Sequence, residues 1–201
     1  MNIFDYSGEV TQRMTLEDPQ RRRMLDADGY IFFLDPTASS EEQAKELMDF
    51  SEDVQIVRKT KAGQTIRAPV ALCVSKIDLL VNQAYADPGG GGEIGQFYDE
   101  LARLDEGNQI SLEAIDARSD MIERLRDVIW PGWQIEQQVD QLFGGRFKFF
   151  PMTPVGLNEL GETDLTNRTI NPRWILEPLV WLLNMNGYPV LDDPKLLSLW
   201  R

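Results

Sequence analysis

The stretch "APVALCVSKIDLL" at residues 68–80 decides the fold, because an apolar run ends abruptly in polar residues. The run up to Val74 is almost wholly apolar, which is typical of a strand covered on both faces of a parallel sheet. Ser75, Lys76 and Asp78 then follow at once. In open parallel sheets, ligands bind just beyond the carboxyl ends of the strands. These three polar residues are therefore candidates for a binding site.

Three other short apolar runs are candidate strands. They are "MNIFD" at residues 1–5, "YIFFLD" at 30–35 and "RFKFFPM" at 146–152. The segments between the runs have helical spacing or capping signals, which predict helices near residues 39–50, 96–105, 111–129, 133–143 and 172–187. Strands that alternate with helices indicate parallel βαβ units. We therefore predict a three-layer α/β fold, with a mostly parallel sheet flanked by helices.

The same patterns predict the organisation of the chain and its core. Residues 1–201 are expected to form a single domain, with a Gly-rich loop at 87–95 and a helical insertion at about 96–143. The apolar residues expected on the inner faces of the helices are Leu47, Met48, Phe50, Leu112, Ile115, Met121, Ile122 and Leu125. The tryptophans are expected to pack in the core or to dock helices, and they are Trp130, Trp133, Trp174, Trp181 and Trp200.

Composition excludes several classes of function. The net charge of −13 disfavours nucleic-acid and membrane-surface binding, because such a surface repels phosphates and anionic lipid. The absence of histidine excludes Ser-His-Asp and Cys-His catalysis and His-ligated metal sites within this chain. Cys73 is the single cysteine, which suggests a reducing compartment. With neither a signal peptide nor a membrane-spanning run in the sequence, we expect a cytoplasmic protein.

"SKID" at residues 75–78 has the chemistry needed to read a guanine base. A rigidly held Asp78 carboxylate can accept two parallel hydrogen bonds from the ring N–H and the exocyclic amine of guanine, whereas adenine presents the opposite polarity. The aliphatic stem of Lys76 can lie along the purine face, and Ser75 can tie neighbouring loops together. The alternative is an ordinary strand-to-helix turn with a solvated lysine and an aspartate cap.

"FDYSGE" at residues 4–9 suits a phosphate and metal site. Asp5 could hold Mg²⁺ through water, and the backbone of Gly8 could approach a terminal phosphate closely because glycine has no side chain. Glu9 would sit beside an attacking water as a candidate catalytic residue. The alternative is a plain Asp-x-x-Gly turn.

Two further strand ends carry candidates. The segment Thr153, Pro154 and Val155 could offer backbone N–H groups to a base carbonyl, or could simply be a loop stiffened by proline. Asp35 could be a second acidic group in the site, or could begin the turn after its strand.

The order and placement of these pieces resemble the P-loop GTPase superfamily, of TRAFAC type, in the half that follows its second switch. "DYSG" is similar to the Asp-x-x-Gly signature, "SKID" to the Asn/Thr-Lys-x-Asp guanine signature and "TPV" to the Ser-Ala-x signature. "FDYSGEV", "ADGYIFFLDP" and "RWILEPLVWLL" are similar to the bacterial double-GTPase group. The resemblance implies binding of GTP or GDP with Mg²⁺, hydrolysis of GTP, and a nucleotide-dependent switch with protein partners of unknown identity.

The sequence departs from this family in ways that matter for function: the P-loop and the first switch are both missing from it, and Ser75 stands where the family has Asn or Thr. No Gly-Lys-Ser/Thr occurs in it, and "GGGGEIG" at residues 89–95 lacks the lysine of a P-loop. Base contacts alone predict affinity of about 1 mM or weaker, because the P-loop carries phosphate recognition. We expect hydrolysis only where missing sequence or another chain supplies a P-loop. An incomplete gene model, a split protein and a true loss remain alternatives, as does a nucleotide-free scaffold derived from a GTPase.

Overall fold

The computed structural model describes residues 15–61, 64–80, 92–105, 110–153 and 173–190. Within them lies an open sheet of three parallel strands in the order β1–β2–β3, where β1 is Tyr30–Leu34, β2 is Val70–Val74 and β3 is Phe147–Pro151. The α/β class and the parallel pairing predicted from the sequence are thus confirmed.

Six helices flank this sheet within the described residues. They are α1 (Pro19–Leu25), α2 (Ser40–Val57), α3 (Gly92–Asp105), α4 (Leu112–Ile129), α5 (Ile135–Phe143) and α6 (Glu177–Met185). None of the helices in the described ranges is both long enough and apolar enough to cross a membrane.

Local sequence sets the helix ends. The side chain of Ser39 accepts a hydrogen bond from the backbone N–H of Glu42 at 3.4 Å, and Ser111 caps α4 in the same way. Each cap satisfies a backbone donor that the first helical turn leaves without a partner. Helix α5 ends at Gly144, whose left-handed φ of 63° is a conformation that glycine adopts at little cost.

The core lies on both faces of the sheet, and β2 is buried along its whole length. Val70, Leu72 and Val74 point into the larger cluster, which side chains of α1 to α5 complete. Ala71 and Cys73 point to the opposite face, where α6 contributes much of a smaller cluster. The continuous apolar run of β2 therefore reflects burial on both faces, as predicted.

Two predicted boundaries were wrong. The Gly-rich segment was expected to be a loop through residue 95, but α3 begins at Gly92, because an apolar stripe that includes Phe97 and Leu101 packs toward α4. The last helix was expected from residue 172, but it begins at Glu177. Arg173 instead pairs with Thr153 in an isolated bridge, and Trp174 adopts a φ of 57° that is incompatible with a helix.

Three core predictions were also wrong. Met48 and Leu112 are 49% and 40% exposed, although Leu47 and Ile115 beside them on the same helices are fully buried. The strand "YIFFLD" was expected to be covered on both faces, yet one face of β1 remains open at Phe33, which is 61% exposed. Helical periodicity gives the direction of a stripe, but neighbouring elements decide how wide the covered stripe is.

The two edges of the sheet differ within the described residues. The outer edge of β3 is covered by α4, where Ser119 accepts a hydrogen bond from the backbone N–H of Phe149 at 3.1 Å. An ion pair between Lys148 and Asp116, 2.6 Å long, joins the same two elements. Strand β1 forms the other edge of this sheet and, among the strands that the structure describes, pairs with β2 alone.

Candidate functional site

The carboxyl ends of the three strands meet at one edge of the sheet. Ser75 donates hydrogen bonds from its backbone N–H and its hydroxyl to the carbonyl of Leu34, at 2.9 and 3.0 Å. The backbone N–H of Met152 donates to the carbonyl of Val74 at 2.8 Å. These bonds bring the residues that follow β1, β2 and β3 to a shared surface. Ser75 therefore ties the end of β2 to the end of β1.

Lys76 and Asp35 form an ion pair across this surface, with 2.5 Å between Nζ and Oδ2. Lys76 has a φ of 57°, a left-handed conformation that costs a side-chain-bearing residue about 1 kcal/mol. Backbone strain of this kind is found preferentially at functional sites. The side chains of Lys76 and Asp35 are 47% and 29% exposed, so the pair lies at the rim of the surface.

Hydrogen bonds hold Asp35 in place. Its Oδ1 accepts from the backbone N–H and the hydroxyl of Thr37 at 2.8 and 2.6 Å, and Gln43 bonds its backbone N–H and carbonyl. Burial opposes ionisation of Asp35, but the bonds from Lys76 and Thr37 outweigh it and hold the pKa of Asp35 below its ordinary value. Asp35 is therefore both a turn-forming residue and a second carboxylate at the strand ends.

Asp78 lies in the helical turn that begins at Ile77, whose side chain is fully buried and fixes the turn on the core. The Oδ1 atom of Asp78 is buried and accepts no hydrogen bond from any residue in the described ranges. A buried carboxylate oxygen without a donor costs free energy, so such an atom marks a place where a donor is missing. A ligand N–H group is one donor that could complete it.

Thr153 is fully buried, and its backbone N–H points at the carbonyl of Arg173, 3.5 Å away. This geometry argues against donation from Thr153 to a ligand base. Pro154 carries no backbone N–H, so of the predicted segment Val155 alone has a backbone donor to offer. Pro154 and Val155 lie outside the described residues.

The predicted phosphate and metal residues Asp5, Gly8 and Glu9 also lie outside the described residues, as do the strand predicted at 1–5 and Trp200. Within the described ranges, no group of three or more acidic or cysteine side chains is placed to hold a metal ion.

Sequence reasoning missed the pairing of Lys76 with Asp35 and the role of Gln43. Gln43 is 6% exposed and occupies the inner face of α2, one turn before Leu47. A polar residue on an apolar stripe is the signal that could have identified it, because a buried amide needs hydrogen-bond partners. The ion pair depends on strand register and leaves no local signal.

A concavity of about 810 Å³ lies away from the strand ends, on α3, α4 and α5, with both acidic and arginine side chains in its lining. Arg126 pairs with Glu136 there, and Arg124 pairs with Glu100. Burial, followed by the charges of Glu136 and Asp120, raises the pKa of Glu123. Because ion pairs within the lining neutralise much of its charge, the strand-end surface is the stronger candidate site.

In comparisons with known proteins, no family model, curated protein or solved structure matches the chain.

Proposed function

We propose that this chain is a guanine-nucleotide-binding, GTPase-like domain that acts as a nucleotide-dependent switch when its phosphate site is complete. The observation that carries the proposal is the buried Oδ1 atom of Asp78, which lacks a hydrogen-bond donor at the edge where the strands end. Lys76 and Asp35 occupy the same edge.

Guanine fits the unsatisfied carboxylate better than adenine does. Its ring N–H and exocyclic amine both donate on one edge, so a single carboxylate can accept two parallel bonds from it. Adenine presents a ring nitrogen acceptor at the corresponding position and leaves the carboxylate unpaired. A site built to satisfy a buried polar group rejects an analogue that lacks the matching donor.

Lys76 contributes to the proposed site through its aliphatic stem, which would lie along the purine face. The ion pair with Asp35 restricts the lysine chain before any ligand arrives. A side chain that is already ordered loses less conformational entropy on binding. Asp35 is thus proposed as a positioning residue for Lys76, a role beyond the turn-forming one that the sequence favoured.

The phosphate end of the site would use Asp5 for Mg²⁺, Gly8 for the terminal phosphate and Glu9 beside the attacking water, as the family resemblance implies. Hydrolysis of GTP would also need a P-loop, because backbone N–H groups and a lysine carry most of the phosphate recognition. For this chain alone we expect a dissociation constant of about 1 mM or weaker.

A nucleotide-free scaffold that works through protein contacts is the second candidate. It is favoured by the open apolar face of β1, where Ile31 and Phe33 are 40% and 61% exposed.

The two candidates separate in a nucleotide titration. NMR spectra of the chain would be recorded with GTP, GDP and ATP in the presence of Mg²⁺. We expect shifts at residues 75–78 with the two guanine nucleotides and about tenfold weaker shifts with ATP, the ratio given by one charge-assisted hydrogen bond. Asp78→Asn should abolish the preference, whereas Asp49→Asn, a matched change at an exposed position of α2, should keep it. The same weak response to all three nucleotides would favour the scaffold.

A further inference from the structure

Basic residues gather where the three strands begin, at the end of the sheet opposite the strand-end surface. The segment at 58–67, "RKTKAGQTIR", leads toward β2 with four basic residues and no acidic one, in a chain whose net charge is −13. Helix α1, which precedes β1, carries two arginines in its last turn. The exposed cations of this region are Arg22, Arg23, Lys59, Lys61 and Arg67. We call these five side chains the basic edge.

Hydrogen bonds hold the segments of the basic edge beside one another. The guanidinium of Arg58 donates to the carbonyl of Leu25 at 3.4 Å and to the carbonyl of Ala27, which places it at the end of α1. The carbonyl of Arg67 accepts a 2.8 Å bond from the guanidinium of Arg146, which precedes β3. Both ends of the segment 58–67 are therefore anchored to neighbouring elements, so its cations project from a fixed surface.

The cations of the basic edge form no ion pair with any residue in the described ranges. Cations elsewhere do find acidic partners, as Arg21 does with Asp53 and Lys148 does with Asp116. Acidic residues outnumber basic ones in the sequence by 33 to 20. A group of cations without acidic neighbours is therefore not what this composition alone would produce, and it leaves a local positive surface on an acidic protein.

Lys59 occupies a backbone position that favours glycine. Its φ is 54°, and its backbone N–H donates to the carbonyl of Ile56 at 3.2 Å while that of Thr60 donates to the carbonyl of Gln55 at 2.9 Å. Helices that end with this pair of bonds usually have glycine at the left-handed position. A residue with a side chain is strained there, and such strain is found preferentially at functional sites.

We propose that the basic edge binds a short, extended acidic segment of a partner protein. Aspartate and glutamate side chains of such a segment would pair with the unpaired cations. Ile56 is 61% exposed in the last turn of α2, close to Lys59, and offers a contact for an apolar residue among the acidic ones. Three strands and the end of one flanking helix span about 20 Å, which is the length of about six extended residues.

Nucleic acid is a less suitable partner than an acidic peptide. Its phosphates repeat along the whole strand and would continue past the basic edge onto a protein of net charge −13. Asp26 and Asp28 are exposed in the loop before β1 and would repel phosphates at the edge itself. A short peptide can instead place its few carboxylates on the cations alone.

Fluorescence anisotropy tests the proposal in the full chain. The probe is a labelled peptide of about ten residues in which glutamates flank a leucine, at about 0.05 M salt, where surface charges are weakly screened. We expect binding that weakens as salt is added, and no binding of the same peptide with glutamine in place of glutamate. Lys59→Gln and Lys59→Gly should each weaken binding about fivefold, the effect of one exposed ion pair. Lys45→Gln, which removes an exposed cation of α2 outside the basic edge, should leave binding unchanged.

Thermal unfolding separates this role from a structural one, because cations near helix C-termini also stabilise helices. Lys59→Gly should unfold at a higher temperature than Lys59→Gln, since glycine adopts the φ of 54° without strain, yet both should bind equally weakly. The proposal is overturned if the acidic peptide does not bind, if the glutamine peptide binds as well, or if binding by the Lys59 variants follows their stability. It is overturned also if Lys45→Gln weakens binding by the same factor, or if a single-stranded RNA of the same charge binds more tightly, which would identify nucleic acid.

Discussion

Lys76 and Asp35 follow adjacent strands, and their side chains meet in an ion pair 2.5 Å long at the carboxyl edge of the sheet. The pair joins the residue that reads the purine face in our proposal to a carboxylate fixed by Thr37 and Gln43. Since both side chains are partly exposed, the pair should contribute no more than about 1 kcal/mol to the free energy of unfolding.

Asp35→Asn should make the unfolding free energy less dependent on pH in the acid range. The pKa of Asp35 is lowered in the folded protein, so its contribution is present above its ordinary value of 3.8 and is lost as pH falls through the lower folded value. Urea unfolding at about pH 6 and about pH 3 measures this change. The destabilisation of the variant relative to the parent should be larger at the higher pH, and an equal difference at both values contradicts the assignment.

Lys76→Gly and Lys76→Val should differ in stability although both remove the ion pair. Glycine adopts the φ of 57° at this position without strain, whereas a β-branched residue does not. We expect Lys76→Val to be less stable than Lys76→Gly by at least about 1 kcal/mol in thermal unfolding. Equal stabilities would show that the backbone at this position relaxes.

Asp78→Asn should stabilise the protein in the absence of nucleotide. The buried Oδ1 atom of Asp78 accepts no hydrogen bond from the part of the chain that the structure describes, and a buried acceptor left unsatisfied costs about 1–3 kcal/mol. An opposing loss of about 0.3–1 kcal/mol arises because an acidic residue in the first turn of a helix is favourable. The first effect is the larger, so we expect a net gain of about 1 kcal/mol in urea unfolding, measured against Asp49→Asn. A destabilised variant would indicate that the carboxylate is already satisfied.

Arg118 and Glu177 form a buried two-point ion pair between α4 and α6, with 3.0 Å from Nε to Oε2. Glu177→Leu alone should cost about 3–5 kcal/mol, because it removes the carboxylate partner of the buried Arg118 charge. Arg118→Met alone should also destabilise the protein, because it removes the same ion pair from Glu177. The double variant Arg118→Met with Glu177→Leu should recover most of that loss. Unfolding midpoints of all four proteins form a double-mutant cycle, and additive effects would contradict the expected coupling.

The sequence was sufficient to predict those parts of the fold that depend on local signals. The apolar run ending at Val74 and a serine cap at residue 39 or 40 were readable because strand burial and helix capping act over a few residues. The exposure of Phe33 was not, since it depends on what covers a strand. The start of α6 was missed because Arg173 pairs with a residue distant in sequence.

In the candidate site too, local sequence predicted some features, and others depend on residues distant in sequence. The positions of Ser75, Lys76 and Asp78 at a strand end followed from the switch in polarity after Val74. The contact between Lys76 and Asp35 required the register of β1 on β2, which no short window of sequence contains. The buried oxygen of Asp78 required the packing of Ile77 on the core, which is equally non-local.

The two edges of the sheet differ in whether another strand could pair with them. The Ser119 hydroxyl accepts the hydrogen bond from the backbone N–H of Phe149, so this donor of β3 is not available to another strand. Among the described residues, no side chain or strand covers the outer backbone groups of β1 in this way. Any fourth strand, whether contributed by this polypeptide or by a different one, is therefore expected to join beside Tyr30–Leu34. If this fourth strand ran parallel to the other three, its carboxyl end would lie next to Asp35.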